Sequence, residues 1–249
     1  MSGKQGACKK WMSVGSSQTS PIENTKRAQV SLDSYYVVVG FEVNEPNAFI
    51  DGVHNLAVDY GHAFFYLVKN VTIVKSFSFG PSGIGKIGWF GNGRYLTYKK
   101  DGIQNARPAT ADYEITERVK AFKVQVSIQQ ATALSTEIDK ARVEIYCRRL
   151  DYSPIMNDTC AETAKGILDE SGVRTPSGSG WVTNTRLVRF PVVYGVNPYS
   201  WHANFKEILP EHTFSPELQG QWIPMIGEDD PIFGLPAFAK ADPMFGVRL

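Results

Sequence analysis

The chain is poor in cysteine: Cys8, Cys147 and Cys160 are the three in 249 residues. So sparse and odd a count argues against a disulfide framework. No CxxC or HxxxH spacing occurs, so a structural zinc site is not expected, and no cofactor is called for. At least one thiol should be free, and the question is whether one is reactive. An excess of charge of one sign is also missing. The 26 basic and 25 acidic residues leave a net charge of +1, which argues against a nucleic-acid partner held by bulk charge. No apolar run approaches the ~18 residues of a membrane-crossing helix, so no integral membrane segment is expected. The opening MSGKQGACKKWMSVGSSQTS is polar and basic and lacks the apolar stretch of a secretory signal. The expectation is a protein that is cytoplasmic where it is made and that is secreted, if at all, by a route needing no signal peptide.

What is present suits one sizeable core: 43% of residues are hydrophobic and 20% charged, in a length typical of one large domain. Residues 1–30 have no apolar period and read as a flexible N-terminal arm. YYVVVGFEV (35–43) reads as a strand. HAFFYLV (62–68) and VTIVKSFSF (71–79) read as a hairpin turning at Lys69-Asn70. The stretch 80–95 holds six glycines and reads as a long loop. YLTYKK (95–100), DYEITER (112–118) and FKVQVSI (122–128) are further strand candidates, the last alternating apolar and polar residues. From about Gln130 to Arg149, Leu134, Ile138, Ala141 and Ile145 fall on one stripe of a helix. A second helix is expected from Cys160 to about Glu170. Residues 31–180 thus form an α+β core in which an antiparallel sheet packs against two main helices. Nine of the 14 prolines lie beyond residue 175. Residues 181–249 are therefore expected to add one or two strands and then an irregular aromatic and proline-rich wrap on the same domain.

The sharpest local signal is Thr159-Cys160-Ala161-Glu162. Thr followed three residues later by Glu is a capping box, and it places Cys160 at the first helical position. There a thiol faces unpaired backbone N–H groups and the positive end of the helix dipole, which favour the nucleophilic thiolate and could hold an oxyanion. The bland reading is a small buried hydrophobe.

A cysteine nucleophile needs a base, usually histidine. Of the four histidines, His62 opens an apolar strand and would be held and partly desolvated there. His54, His202 and His212 lie in Asn-, Pro- or loop-rich surroundings and read as surface residues. A third group should orient the imidazole. With a two-residue turn Phe77 falls opposite His62, and a shift of one residue brings Ser76 or Ser78 onto its face. No Asp, Asn, Glu or Gln is available there, so a serine hydroxyl, with Ser78 as the candidate, a backbone carbonyl or a group from elsewhere remains. Gly80 to Lys86 matches GxxxxGK, but Ile87 stands where a Mg²⁺-binding hydroxyl belongs, so a phosphate loop is set aside. A flap beside a cleft is preferred, with Trp89, Phe90 and Arg94 as its contacts.

The order of these parts, His on an early hairpin strand, more strands, a long helix, then Cys opening a second helix, resembles the circularly permuted papain-like fold. That group includes permuted NlpC/P60 hydrolases and lecithin:retinol acyltransferase-like proteins. Their connector before the nucleophile reads Tyr, a few apolar residues, Asn, then Cys, and the matching stretch here runs from Tyr152 through Ile155, Met156 and Asn157 to Cys160. It departs from the pattern in having two residues between Asn157 and Cys160. The resemblance covers roughly residues 55–172.

It implies a cysteine hydrolase cleaving an amide bond, with Cys160 as nucleophile, His62 as base and Ser78 as orienter. Trp89, Asn157 and Thr159 are its substrate contacts. Similar folds occur among antibacterial effectors of type VI secretion. The resemblance therefore implies peptidoglycan peptides as substrate, action in the target-cell periplasm, and an immunity protein and a secretion-apparatus carrier as partners. The alternatives are a lipid acyl hydrolase or acyltransferase, or a protein deamidase, on the same fold, and a non-enzymatic binding module in which Cys160 is structural.

Overall fold

The longest apolar runs become the two strands at the centre of the molecule. In the computed structural model, residues 33–70, 72–81, 91–95, 119–153, 158–186 and 193–214 are described. Contacts divide the chain into residues 1–33 and 34–249, and every element below lies in the second unit. There β1 (Tyr35–Glu42) and β4 (His62–Lys69) pair antiparallel from Tyr35 opposite Lys69 to Glu42 opposite His62. Nearly every residue of both strands is buried, which explains why neither alternates: an apolar side chain is needed on both faces. β5 (Thr72–Phe77) and β8 (Val119–Val126) flank them, and β12 (His212–Phe214) closes the five-stranded order β12-β8-β1-β4-β5. Asn70 turns the hairpin in the left-handed region at φ 57°, a conformation Asn tolerates better than most residues.

Val37, Val39, Phe41, Ala63, Phe65, Leu67, Phe77 and Phe122 form the core. Helix α1 (Ile128–Tyr146) lays Leu134, Ile138 and Ile145 on it, as the stripe predicts. α1 starts two residues before the expected place because Ser127 and Gln130 form a complete capping box, Ser127 Oγ taking the Gln130 N–H at 3.1 Å and Gln130 Oε1 the Ser127 N–H at 2.8 Å. Helix α2 (Cys160–Glu170) occupies the predicted residues and buries Cys160, Ala161, Ala164, Ile167 and Leu168.

The expectation of two main helices is corrected by a third. Helix α3 (Pro198–Ile208) stands where a proline-rich wrap was expected. Asn197 caps it by accepting the Ser200 N–H at 2.9 Å, and Pro198 occupies the first turn, where its missing N–H costs nothing. Pro198 marks a helix start there, and the rest of the expected wrap, over 215–249, lies outside the described residues. α3 drives Trp201 and Phe205 against Phe41, with centroids 5.4 and 5.7 Å apart. The expected C-terminal strands appear as β10 (Ser179–Thr183) and β11 (Val193–Val196). They join β2 (Phe49–Ile50) and β3 (Val53–Asn55), with β10 parallel to β3. A short 3₁₀ turn, Pro46–Ala48, precedes β2.

The glycine-rich stretch is not wholly a loop: β6 (Phe79–Pro81) pairs with β7 (Gly91–Tyr95), and β7 with β9 (Asp151–Tyr152). Trp89, Phe90, Asn157, most of the YLTYKK strand, the 112–118 strand and the arm over 1–30 lie outside the described residues. The architecture is mixed α+β with largely antiparallel sheets. No helix among the described residues is long and apolar enough to cross a membrane.

His54, read as a surface residue, is fully buried at 0% exposure, because β3 is sandwiched between β2 and β10. Burial pushes its pKa from 6.5 down to about 4, partly countered by the Asp59 carbonyl and the Asp59 charge. Between those pH values the unfolded chain takes up a proton that the folded one refuses. Stability should therefore fall by about 3 kcal/mol as pH drops from 6.5 to 4. Urea midpoints across that range should show a shallower fall in His54→Asn than in the native chain.

Candidate active site

Two chain segments far apart in sequence meet at the beginning of β4. Thr159 is extended and its Oγ1 accepts the Glu162 N–H at 3.2 Å. Only this half of the predicted capping box forms, and it suffices to start α2 at Cys160. The Cys160 thiol is free and 3% exposed. The backbone N–H groups of Ala63, the residue after His62, of Ala161 and of Cys160 itself act on the thiol, as does the Tyr152 hydroxyl. Cys160 thus lies near the backbone of β4 where that strand begins.

His62 is 4% exposed. Its Nε2 lies 2.6 Å from Ser78 Oγ, and Ser78 is wholly buried. The register explains how Ser78 arrives: an irregularity between Leu67 and Val68 shifts the β4–β5 ladder so that Phe65 faces Phe77. The register expected from a turn at Lys69-Asn70, with Phe77 opposite His62, is not the one formed, since Lys69 pairs with Thr72. Phe64 stacks on His62, with centroids 6.0 Å apart and 22° between planes. Room for that ring comes from Gly40 across the strand pair, where an added Cβ would sit 2.5 Å from Phe64 Cζ.

The electrostatics correct one expectation. The helix start and its N–H groups were expected to favour thiolate. Burial instead dominates and pushes the Cys160 thiol up from 9.0 to about 11, while the N–H groups of Ala63 and Ala161 and the Tyr152 hydroxyl pull it down only in part. Removing an anion from water outweighs a few hydrogen bonds to it. Tyr152 is held well above the usual tyrosine range, first by burial and then by the neighbouring Cys160. Tyr60 is raised by burial and opposed by the Arg186 charge. Outside the thiol stand Asp158, raised by burial and by Asp151, and Glu162, raised by burial and by Asp158.

Tyr152 joins the site although nothing in the sequence beyond its place at the head of the connector marks it. It is delivered by β9, whose pairing sets Tyr152 opposite Gly91 of β7, so the root of the glycine-rich loop lies beside it. His202 bonds the Glu211 carboxylate at 2.5 Å against Phe41 and Phe122. It belongs to the packing of α3. No group of three or more His, Cys, Asp or Glu side chains among the described residues is arranged to hold a metal ion.

Comparison of the chain with models of known families, with curated proteins and with solved structures returns no match.

Since the folded thiol keeps its proton up to about pH 11 and an unfolded one loses it near 9, the folded state is favoured below 9 and loses that advantage as pH climbs from 9 to 11. The loss should amount to about 2–3 kcal/mol and be absent in Cys160→Ser, as read from denaturant midpoints of both proteins. Gly40→Ala should destabilise the fold by about 1–3 kcal/mol through the clash with Phe64, measured by the same unfolding curves.

Proposed function

We propose that this chain is a Cys–His hydrolase of the permuted papain-like kind that cleaves amide bonds. The reading is supported by the place of both residues at the start of β4: the thiol feels the Ala63 backbone N–H, and His62, the preceding residue, has Nε2 2.6 Å from Ser78 Oγ. With Nε2–H donating to Ser78 Oγ, Nδ1 is the basic nitrogen. At neutral pH the resting thiol is protonated, so His62 acts as general base during attack rather than holding a standing thiolate. Sulfur bonds to the acyl carbon, and the imidazolium then gives the proton to the departing amine as the C–N bond breaks. Water, activated by the same imidazole, releases the acid from the thioester. The Cys160 N–H and the Tyr152 hydroxyl converge beside the sulfur, where a tetrahedral oxyanion would need donors.

The substrate class follows from the resemblance: peptide amides of peptidoglycan, attacked in the periplasm of a target cell by a secreted antibacterial effector. Asp158 and Glu162 take part in no ion pair with a described residue and flank the nucleophile. They favour a substrate whose nearest charge is positive. In this setting an immunity protein and a secretion-apparatus carrier are the expected partners.

The burial of Cys160 is the observation that favours the rival reading, a binding module with a structural cysteine. The two differ in mutants. With purified protein and peptidoglycan fragments, Cys160→Ala and His62→Ala should each abolish amine release while circular dichroism shows the chain still folded. Ser78→Ala should cut turnover roughly ten- to a hundredfold. Full activity in pure Cys160→Ala would remove the hydrolase reading. In bacteria, killing that requires an added export signal and is lost in both mutants would support a cell-wall substrate. Killing without export would redirect the search to a cytosolic amide or acyl group.

A further inference from the structure

The position of His62 in β4 depends on what holds the turn just before it. Three elements converge there. From α3, the Tyr199 hydroxyl donates to Asp59 Oδ2 at 2.5 Å and accepts the Glu45 N–H at 3.3 Å. From β3, His54 Nε2 lies 2.9 Å from the Asp59 carbonyl oxygen, and since a carbonyl only accepts, that nitrogen carries the proton. The Tyr199 ring, 4% exposed, lies 4.6 Å from the His54 ring and stacks on Phe49 at 6.0 Å. It also presses on the backbone itself. Gly61, immediately before His62, has φ 62°, and an added Cβ there would come within 3.0 Å of Tyr199 Cε2.

This arrangement uses more polar groups than packing alone needs. His54 Nδ1 is buried without a hydrogen-bond partner, a cost an apolar residue would avoid. The Tyr199 hydroxyl is held above the usual tyrosine range by burial and by Asp59, so it stays a donor at any working pH. Both groups serve to fix residues 59–61 from two sides, and the chain position they fix is that of the imidazole.

We propose that Tyr199 and Asp59 are positioning residues for His62, their hydrogen bond setting the imidazole relative to Cys160. The proposal rests on the Cys–His reading above. A displacement of the base by a fraction of an ångström lowers the rate of proton transfer without altering substrate binding.

The test follows the His62 imidazole titration by NMR in the native chain, Cys160→Ala, Tyr199→Phe, Asp59→Ala and Asp59→Asn, with turnover on the amide substrate and melting temperatures alongside. If imidazole and thiol are coupled, Cys160→Ala moves the His62 titration. Tyr199→Phe, which keeps the ring but removes the hydroxyl, should then move it in the same sense. It should also lower kcat by roughly ten- to a hundredfold with KM within about twofold. Asp59→Ala should reproduce this from the other side of the bond, and it serves alone if Tyr199→Phe does not fold. Asp59→Asn, which still offers an oxygen to the tyrosine, should restore most of the native behaviour. Movement in Cys160→Ala but none in Tyr199→Phe or Asp59→Ala overturns the positioning role and leaves the hydrolase reading standing. No movement in Cys160→Ala overturns the Cys–His pair itself and the positioning role with it.

Discussion

The structure turns on the burial of one sulfur at the junction of a helix and a strand. α2 begins at Cys160, and its first residue is buried beside the start of β4, where the Ala63 N–H acts on the thiol. That contact ties the second helix to the central hairpin and brings together two segments separated by most of the core. It also sets the chemistry. A thiol removed so fully from water is a weak acid, whatever the helix dipole does, because desolvation of the anion is the larger effect. The proposed mechanism therefore needs an adjacent base rather than a preformed thiolate.

His62 is surrounded by groups that limit its freedom. On one side, Gly40 leaves space for Phe64, which stacks on the imidazole, while Ser78 engages Nε2. On the other, Tyr199, His54 and Asp59 clamp the turn that delivers it. Buried polar groups are costly unless satisfied, and a satisfied network in a low-dielectric setting is rigid. The molecule concentrates buried hydrogen bonds on both sides of His62, at the cost of leaving His54 Nδ1 without a partner. The same economy explains the C-terminal helix: Trp201 and Phe205 fill the core beside Phe41, and Tyr199 in its first turn reaches the turn before β4.

Local signals in the sequence were read where they depend on neighbours in the chain. The α2 boundaries followed from Thr159 and the apolar spacing behind it, and the face of α1 from Leu134, Ile138 and Ile145. Other local signals were present and read differently. Ser127 and Gln130 form the complete capping box, and Asn197-Pro198 opens a helix. In both cases the residues had been assigned to another element, a strand reaching residue 128 and a proline-rich wrap, and that assignment hid the cap.

The sequence by itself determined the α+β class, the central hairpin, the two expected helices and the place of Cys160 at a helix start, because periodicity and capping act within a few residues. Tertiary structure alone decided the rest. The place of Ser78 depended on a ladder irregularity at Leu67 and Val68, which periodicity does not encode. The burial of His54 and its bond to the Asp59 turn depended on β10 arriving from more than a hundred residues away to pair with β3. The acidity of Cys160 depended on how much water the assembled core excludes. Each of these is set by what lies across space from a residue, which the chain reveals only after it has folded.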